Sequence, residues 1–166
     1  MGRLKSRRGD LSGPVLAILV TLILLAIGAV IIAYFTLLAG PAPTPVLVVK
    51  DQPIAYKGSG SPPDAVVEVV VANIGTANVT LDGTKTKLTI LGPPGLVSAL
   101  GTDATQSLTT GTAIAPGSSV TLKFTFSGKW SDFARYRSAS ARLLLIDTAD
   151  NTIANVEVSI RIIGGG

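Results

Sequence analysis

Asp147-Thr148-Ala149-Asp150-Asn151 gathers side-chain oxygens of the kind that hold a calcium ion. Its spacing matches no calcium-binding loop, and it connects two strand-like stretches, so a hairpin loop accounts for it. Trp130, Phe133 and Tyr136 are interleaved with Lys129, Arg135 and Arg137. Aromatic faces beside cations can bind a sugar or a surface; such clusters more often fill the end of a β-core or a subunit contact. Asn78-Val79-Thr80 is an acceptor triplet for N-glycosylation in a turn-like stretch. Near the N-terminus, Arg7-Arg8-Gly9-Asp10 sets paired cations before a small residue and an acid. Export and processing machineries read signals of that kind.

What is missing narrows the chemistry further. The 166 residues include no histidine and no cysteine, and one methionine. The usual zinc ligands, the commonest general base and every Ser-His or Cys-His nucleophile pair are therefore absent. No glycine-rich loop precedes a Lys and a Ser or Thr to cradle phosphate. The expectation is a protein that is not an enzyme, with no catalytic residues, no metal and no cofactor; a surface hydrolase built on carboxylates is a distant alternative. The net charge of +4 comes from Arg3, Lys5, Arg7 and Arg8. From Asp10 onward, ten Lys and Arg balance ten Asp and Glu, which argues against a nucleic-acid surface.

The element behind that basic cluster organises the rest. Residues 10–39, DLSGPVLAILVTLILLAIGAVIIAYFTLLA, carry no charge from Val15 onward. As a helix, residues 15–39 reach about 37 Å, enough to cross a bilayer. Val, Ile and Leu lie on every face, and a helix apolar all round belongs in lipid or in a large protein core. Ser12 can cap it, and Pro14 falls in its first turn, where a missing N–H costs nothing. Ala17, Gly28, Ala29 and Ala33 permit close helix approach, though Ala26, Ala29 and Ala33 are also normal in any membrane span. The basic flank holds the N-terminus cytoplasmic and sends the C-terminal part outward.

Three export signals are conceivable for residues 1–9. The apolar run is about twice as long as the core of an ordinary secretory signal. Ser6-Arg7-Arg8 suggests a twin-arginine signal, but Asp10 stands where an aromatic is expected and the run is too hydrophobic. Arg7-Arg8-Gly9 followed by Asp10 and a long apolar helix resembles the class III signal peptide of archaeal type IV pilins and archaellins. The resemblance implies cleavage between Gly9 and Asp10 by a prepilin peptidase, with the helix kept. The mature start Asp10-Leu11-Ser12-Gly13-Pro14-Val15 is similar to the Ser-Pro-Val start of archaeal pilin helices. Bacterial relatives place Glu at the fifth mature position; Pro14 occupies it here, a departure that points away from bacteria. A plain single-pass anchor with a basic cytoplasmic flank is the competing reading.

Gly40-Pro41-Ala42-Pro43-Thr44-Pro45 ends the helix and reads as a stiff, extended hinge over residues 40–45. Beyond it the period switches to two. Strands are expected over Val46–Val49, continuing through Ile54–Tyr56 past Pro53, and over Ala65–Ala72, Thr84–Leu91, Ser119–Phe126, Arg142–Ile146 and Ile153–Ile163. Ala65–Ala72, apolar on nearly both faces, reads as a central strand. In Ser119–Phe126, Val120, Leu122, Phe124 and Phe126 face inward; in the last strand Val156, Val158, Ile160 and Ile162 do. Some seven or eight short strands with Gly, Pro, Asp and Asn turns imply an antiparallel sandwich over residues 46–166. VANIGTANVTLDG and IAPGSSVTLKFTF resemble secreted immunoglobulin-like modules and the head domains of archaellins and archaeal pilins.

The expected fold is thus α+β, a long N-terminal hydrophobic helix followed by an antiparallel immunoglobulin-like β-sandwich. The resemblance implies a precursor in the cytoplasmic membrane that becomes a subunit of an extracellular surface filament. Its helix would line the filament core through Val15, Leu19, Leu22, Leu25, Gly28, Ile32 and Phe35. The implied partners are identical subunits in a helical homopolymer, a prepilin peptidase, and an assembly ATPase with its membrane platform. Adhesion through a pilus is preferred to swimming through an archaellum. A membrane-anchored immunoglobulin-like binding module is the rival from another class.

Overall fold

A computed structural model describes residues 13–40, 42–108 and 111–164. The chain divides into two compact units, residues 1–42 and 43–166.

Among the described residues, the first unit is the helix α1 (Gly13–Ala39). Leu, Ile, Val and Ala fill it, Pro14 sits in its first turn, and no later proline interrupts it. Its two threonine hydroxyls are satisfied within the helix. Thr21 Oγ1 donates to the Ala17 carbonyl at 2.8 Å, and Thr36 Oγ1 donates to those of Ile32 and Ala33 at 2.9 and 3.0 Å. Neither needs water or a partner chain. Gly40, at φ 61°, closes the helix in the left-handed conformation that glycine reaches without Cβ strain.

The second unit is β-rich. Its strands are β1 (Leu47–Val49), β2 (Ile54–Lys57), β3 (Ala65–Asn73), β4 (Val79–Leu81), β5 (Lys87–Gly92), β6 (Thr105–Ser107), β7 (Thr112–Ile114), β8 (Ser119–Phe126), β9 (Ser138–Ile146) and β10 (Thr152–Ile162). Eight of them form one hydrogen-bonded sheet in the order β1-β3-β2-β10-β9-β5-β6, with β8 on β3. The other two, β4 and β7, pair with each other. β1 and β2 share one edge of β3, β1 at Val71–Asn73 and β2 at Ala65–Glu68. Lys50 to Pro53 separates them, and Pro53 has no N–H to give a ladder.

The expectation of an antiparallel domain needs one amendment. β2 runs parallel to β10, Arg161 facing Ile54 and Ile162 facing Ala55. The sheet is therefore mixed, though mostly antiparallel. A parallel pair can join the first and last strands of a domain because the whole chain between them serves as the crossover.

The alternating patterns locate the core. Val67, Val69 and Val71 of β3 point inward against Leu122, Phe124 and Phe126 of β8, and Leu143, Leu145 and Ile160 complete it from β9 and β10. β3 is flanked on both edges, which explains its nearly continuous apolar run. Val156, expected inward, is 38% exposed: there β10 has β9 beside it on one edge only, since β2 pairs with it no further than Arg161 and Ile162. Thr84 to Thr86 form a turn around Asp82, so the strand expected from Thr84 begins at Lys87. β9 starts four residues before the expected Arg142. Its early inward residues are Ala139 and Ala141, whose small side chains give little periodic signal.

Among the described residues the domain also contains two short α-helices, α2 (Pro94–Leu100) and α3 (Trp130–Phe133), and a 3-10 turn at Gly101–Ala104. α2 starts with proline in its first turn and buries Leu96 and Leu100, one turn apart.

Candidate functional site

Arg7, Arg8, Gly9 and Asp10, the residues expected at the leader cleavage point, lie outside the described residues. The residues expected in a filament core all lie on α1. Val15, Leu19, Leu22, Leu25, Ile32 and Phe35 are exposed, Leu25 at 66%, and Gly28 is half-buried. The apolar surface is continuous around the helix from Gly13 to Thr36, a span long and apolar enough to cross a membrane. A Cβ added at Gly28 would meet nothing within 4 Å.

Asn78 stands exposed just before β4, and Thr80 is exposed two residues on, while Val79 between them is buried. The period of two thus turns both polar members of the acceptor triplet outward. A glycan there would be lost in Thr80→Ala, which is expected to leave the melting temperature within about 1 °C, since Thr80 contributes no core surface. An intact mass equal to that of the bare polypeptide for wild type and variant alike would show the triplet unused.

The acidic loop turns its oxygens on itself. Asp147 Oδ1 accepts from the backbone N–H of Ala149 (2.9 Å) and Asn151 (2.8 Å), and Oδ2 accepts from Asn151 Nδ2 (3.0 Å). The Asn151 amide chiefly holds the Asp147 carboxyl below its ordinary pKa. Lys85 Nζ hydrogen-bonds Asp150 and lies 3.8 Å from Asp82. This is a tied hairpin turn, as its place between strands suggested. Among the described residues no three Asp or Glu converge as a metal site. A shallow groove beside Pro93 and Pro94 is lined by Ser138, Ser140 and Ser159, and none of its lining residues is titratable.

The aromatic cluster closes one end of the core. Phe133 is fully buried, its ring 5.1 Å from that of Phe126, and Trp130 and Tyr136 pack against the core half-exposed. Lys129 pairs with Asp103 at 3.4 Å.

Two polar networks carry no signal in local sequence. On the outer face of β2, β3 and β8, Tyr56 Oη donates to Glu68 Oε1 at 2.8 Å, and Lys123 Nζ lies 2.8 Å from the same oxygen. The Lys123 bond first, then that from Tyr56, holds the Glu68 carboxyl below its ordinary value. The same contacts with Glu68 raise Tyr56 and Lys123. A carboxyl lowered on folding adds stability that is complete above its unfolded pKa of about 4.3 and is lost as pH falls through the folded one. A phenol or amine raised on folding adds stability that is complete below about pH 10 and is lost at higher pH. We therefore expect the melting temperature to fall on acidification below about pH 4.3, and Glu68→Gln to make that fall shallower. Superimposable acid limbs would remove Glu68 from the account.

The second network centres on Asn73, fully buried at the end of β3. Its Oδ1 accepts from the N–H of Gly75 (3.0 Å) and Val46 (3.4 Å). Its Nδ2 donates to the carbonyls of Ala77 (2.8 Å) and Ile114 (3.1 Å). One side chain thus ties the start of the domain, the β3–β4 turn and β7 together.

Comparison with known proteins adds little. No family model matches the sequence, and no curated protein matches it. Among solved structures, the crystal structure of an ApaA protein from Bordetella pertussis is similar over 72% of this chain and 98% of its own, at 12% identity and a TM-score of 0.37. A likeness that loose carries no argument about function.

Proposed function

We propose that this chain is the precursor of an archaeal type IV pilin-like subunit, and that its mechanism is assembly, not catalysis. One observation carries the reading: a helix of 27 residues, apolar on every face and with its large apolar side chains exposed from Val15 to Phe35, is joined to a separate domain that closes its own core. Such a helix is stable only in lipid or among other apolar helices. With no charge and with both threonines satisfied internally, it suits either setting without rearrangement. It anchors the precursor in the cytoplasmic membrane and, after removal of residues 1–9 by a prepilin peptidase, packs into the core of an extracellular filament of identical subunits. An assembly ATPase and its membrane platform drive that transfer. Burial at about 25 cal/mol per Å² holds such a core together without ion pairs.

The β-domain forms the outer wall, and we read it as an immunoglobulin-like sandwich. The support is topological. β1-β3-β8 form one antiparallel set and β10-β9-β5-β6 another. β2 joins them, pairing antiparallel with β3 and parallel with β10. Surface adhesion is the role we assign to the filament, with swimming as an archaellum the alternative.

The test is intact mass and N-terminal sequencing of protein sheared from the cell surface. A chain beginning at Asp10 in sedimentable fibres is expected. A chain beginning at Met1 or Gly2, confined to the membrane fraction, would overturn the filament and make the helix a permanent anchor.

A further inference from the structure

We propose that residues 44–50 form a releasable strap, which detaches from the β-domain without unfolding it and so lengthens the free chain between helix and domain. The residues that follow the helix do not hang free until β1. Thr44 N donates to Thr76 Oγ1 at 3.2 Å, and Thr44 O accepts from Thr76 N at 2.9 Å. Val46 O accepts from Ile74 N at 2.8 Å, and Lys50 N donates to Val70 O at 2.9 Å. The Thr44 and Val46 bonds extend the β1–β3 ladder back into the proline-rich stretch, and the Lys50 bond extends it forward by one residue.

The strap is held by one edge. β1 pairs with β3 alone, and of its side chains only Leu47 is fully buried, Val49 half so. Val46 and Val48 point outward, 43% and 38% exposed. β2, immediately beyond, is held on both sides by β3 and β10, and Ala55 is wholly buried. Pro53 O accepts from Arg161 N at 2.9 Å, which fixes the start of the retained part. Short edge segments with few buried contacts open at lower free energy than central strands. Release leaves the Val, Phe and Leu core of β3, β8 and β9 in place.

Gly75 keys the strap in. A Cβ there would lie 2.3 Å from Thr44 O and 2.4 Å from Val46 N, both backbone atoms with no rotamer to yield. Release frees residues 44–52, which as extended chain reach about 32 Å. The device serves a filament subunit and a fixed anchor alike, so it stands apart from the functional proposal.

Amide hydrogen exchange on the full chain in detergent micelles tests it. Peptides spanning residues 44–50 are expected to exchange at least about a hundredfold faster than those of residues 139–146 in β9, which is paired on both sides. Gly75→Ala is expected to bring the strap near free-peptide rates while β9 stays within about twofold of wild type. The Val48→Cys/Ala72→Cys pair faces across the β1–β3 ladder at a separation a disulfide spans. The chain has no other cysteine, so oxidation is expected to slow strap exchange at least about tenfold, reversibly with reductant. Equal strap and β9 rates in wild type would overturn the proposal. So would Gly75→Ala stripping protection from β9 as well, or an oxidised pair exchanging like wild type.

Discussion

Asn73→Ala is expected to lower the stability of the β-domain by about 3 kcal/mol and its melting temperature by about 10–15 °C. The side chain is fully buried and serves two backbone donors and two backbone acceptors in three separate segments. Truncation leaves those groups without the amide, and buried unpaired polar groups cost about 1–3 kcal/mol each. Water entering the vacated space recovers part of that, which keeps the sum near the lower end. Asn73→Asp separates hydrogen bonding from shape. It keeps the acceptor toward Gly75 and Val46 but replaces the donor toward Ala77 and Ile114 with a second acceptor, so it should cost at least as much as alanine. Thermal or urea melts of the full chain in detergent measure both. A drop below about 1 °C for Asn73→Ala would show that the turn and β7 hold their places without it.

The other large effect falls on the helix. On the function proposed above, Leu25→Asp is expected to make retention of the helix in the membrane at least about a hundredfold less favourable and to abolish recovery of surface fibres. On insertion scales leucine contributes about −0.5 kcal/mol and aspartate about +3 at the middle of a span, and every factor of ten corresponds to about 1.4 kcal/mol. Leu25 is 66% exposed, so the melting temperature of the β-domain should stay within about 1 °C of wild type. Membrane flotation, fibre yield and a melt of the same preparation read the effects separately. Undiminished flotation and fibre yield would mean that this helix is neither anchor nor filament core. A collapsed melt would mean that the domain depends on it.

The parts of this protein legible from sequence are those whose signal is local. An uninterrupted apolar run specifies a helix and its need for an apolar setting. A cluster of prolines after Gly40 marks where that helix ends. Large apolar residues at every second position specify β3, β8 and the C-terminal part of β10, because strand geometry alone sends alternate side chains to opposite faces. The turn around Asp147 was legible because it lies between two strand-like stretches.

The rest depended on which segments meet. Nothing near Ile54 announces that β2 lies parallel to a strand more than a hundred residues later. Three-residue strands such as β4 and β7 are too short to show a period, and each exists only because the other faces it. Asn73 reads locally as a turn residue in VANIG. Its burial follows from Val46 and Ile114 arriving from opposite ends of the domain. Gly75 reads as an ordinary turn glycine, yet it is required because the backbone of Thr44–Val46 passes where a Cβ would stand. Local covalent preference settled the elements and the helix's appetite for apolar surroundings. Tertiary packing alone decided the sheet order, the buried amide and the docking of the strap, because those contacts join residues far apart in the chain.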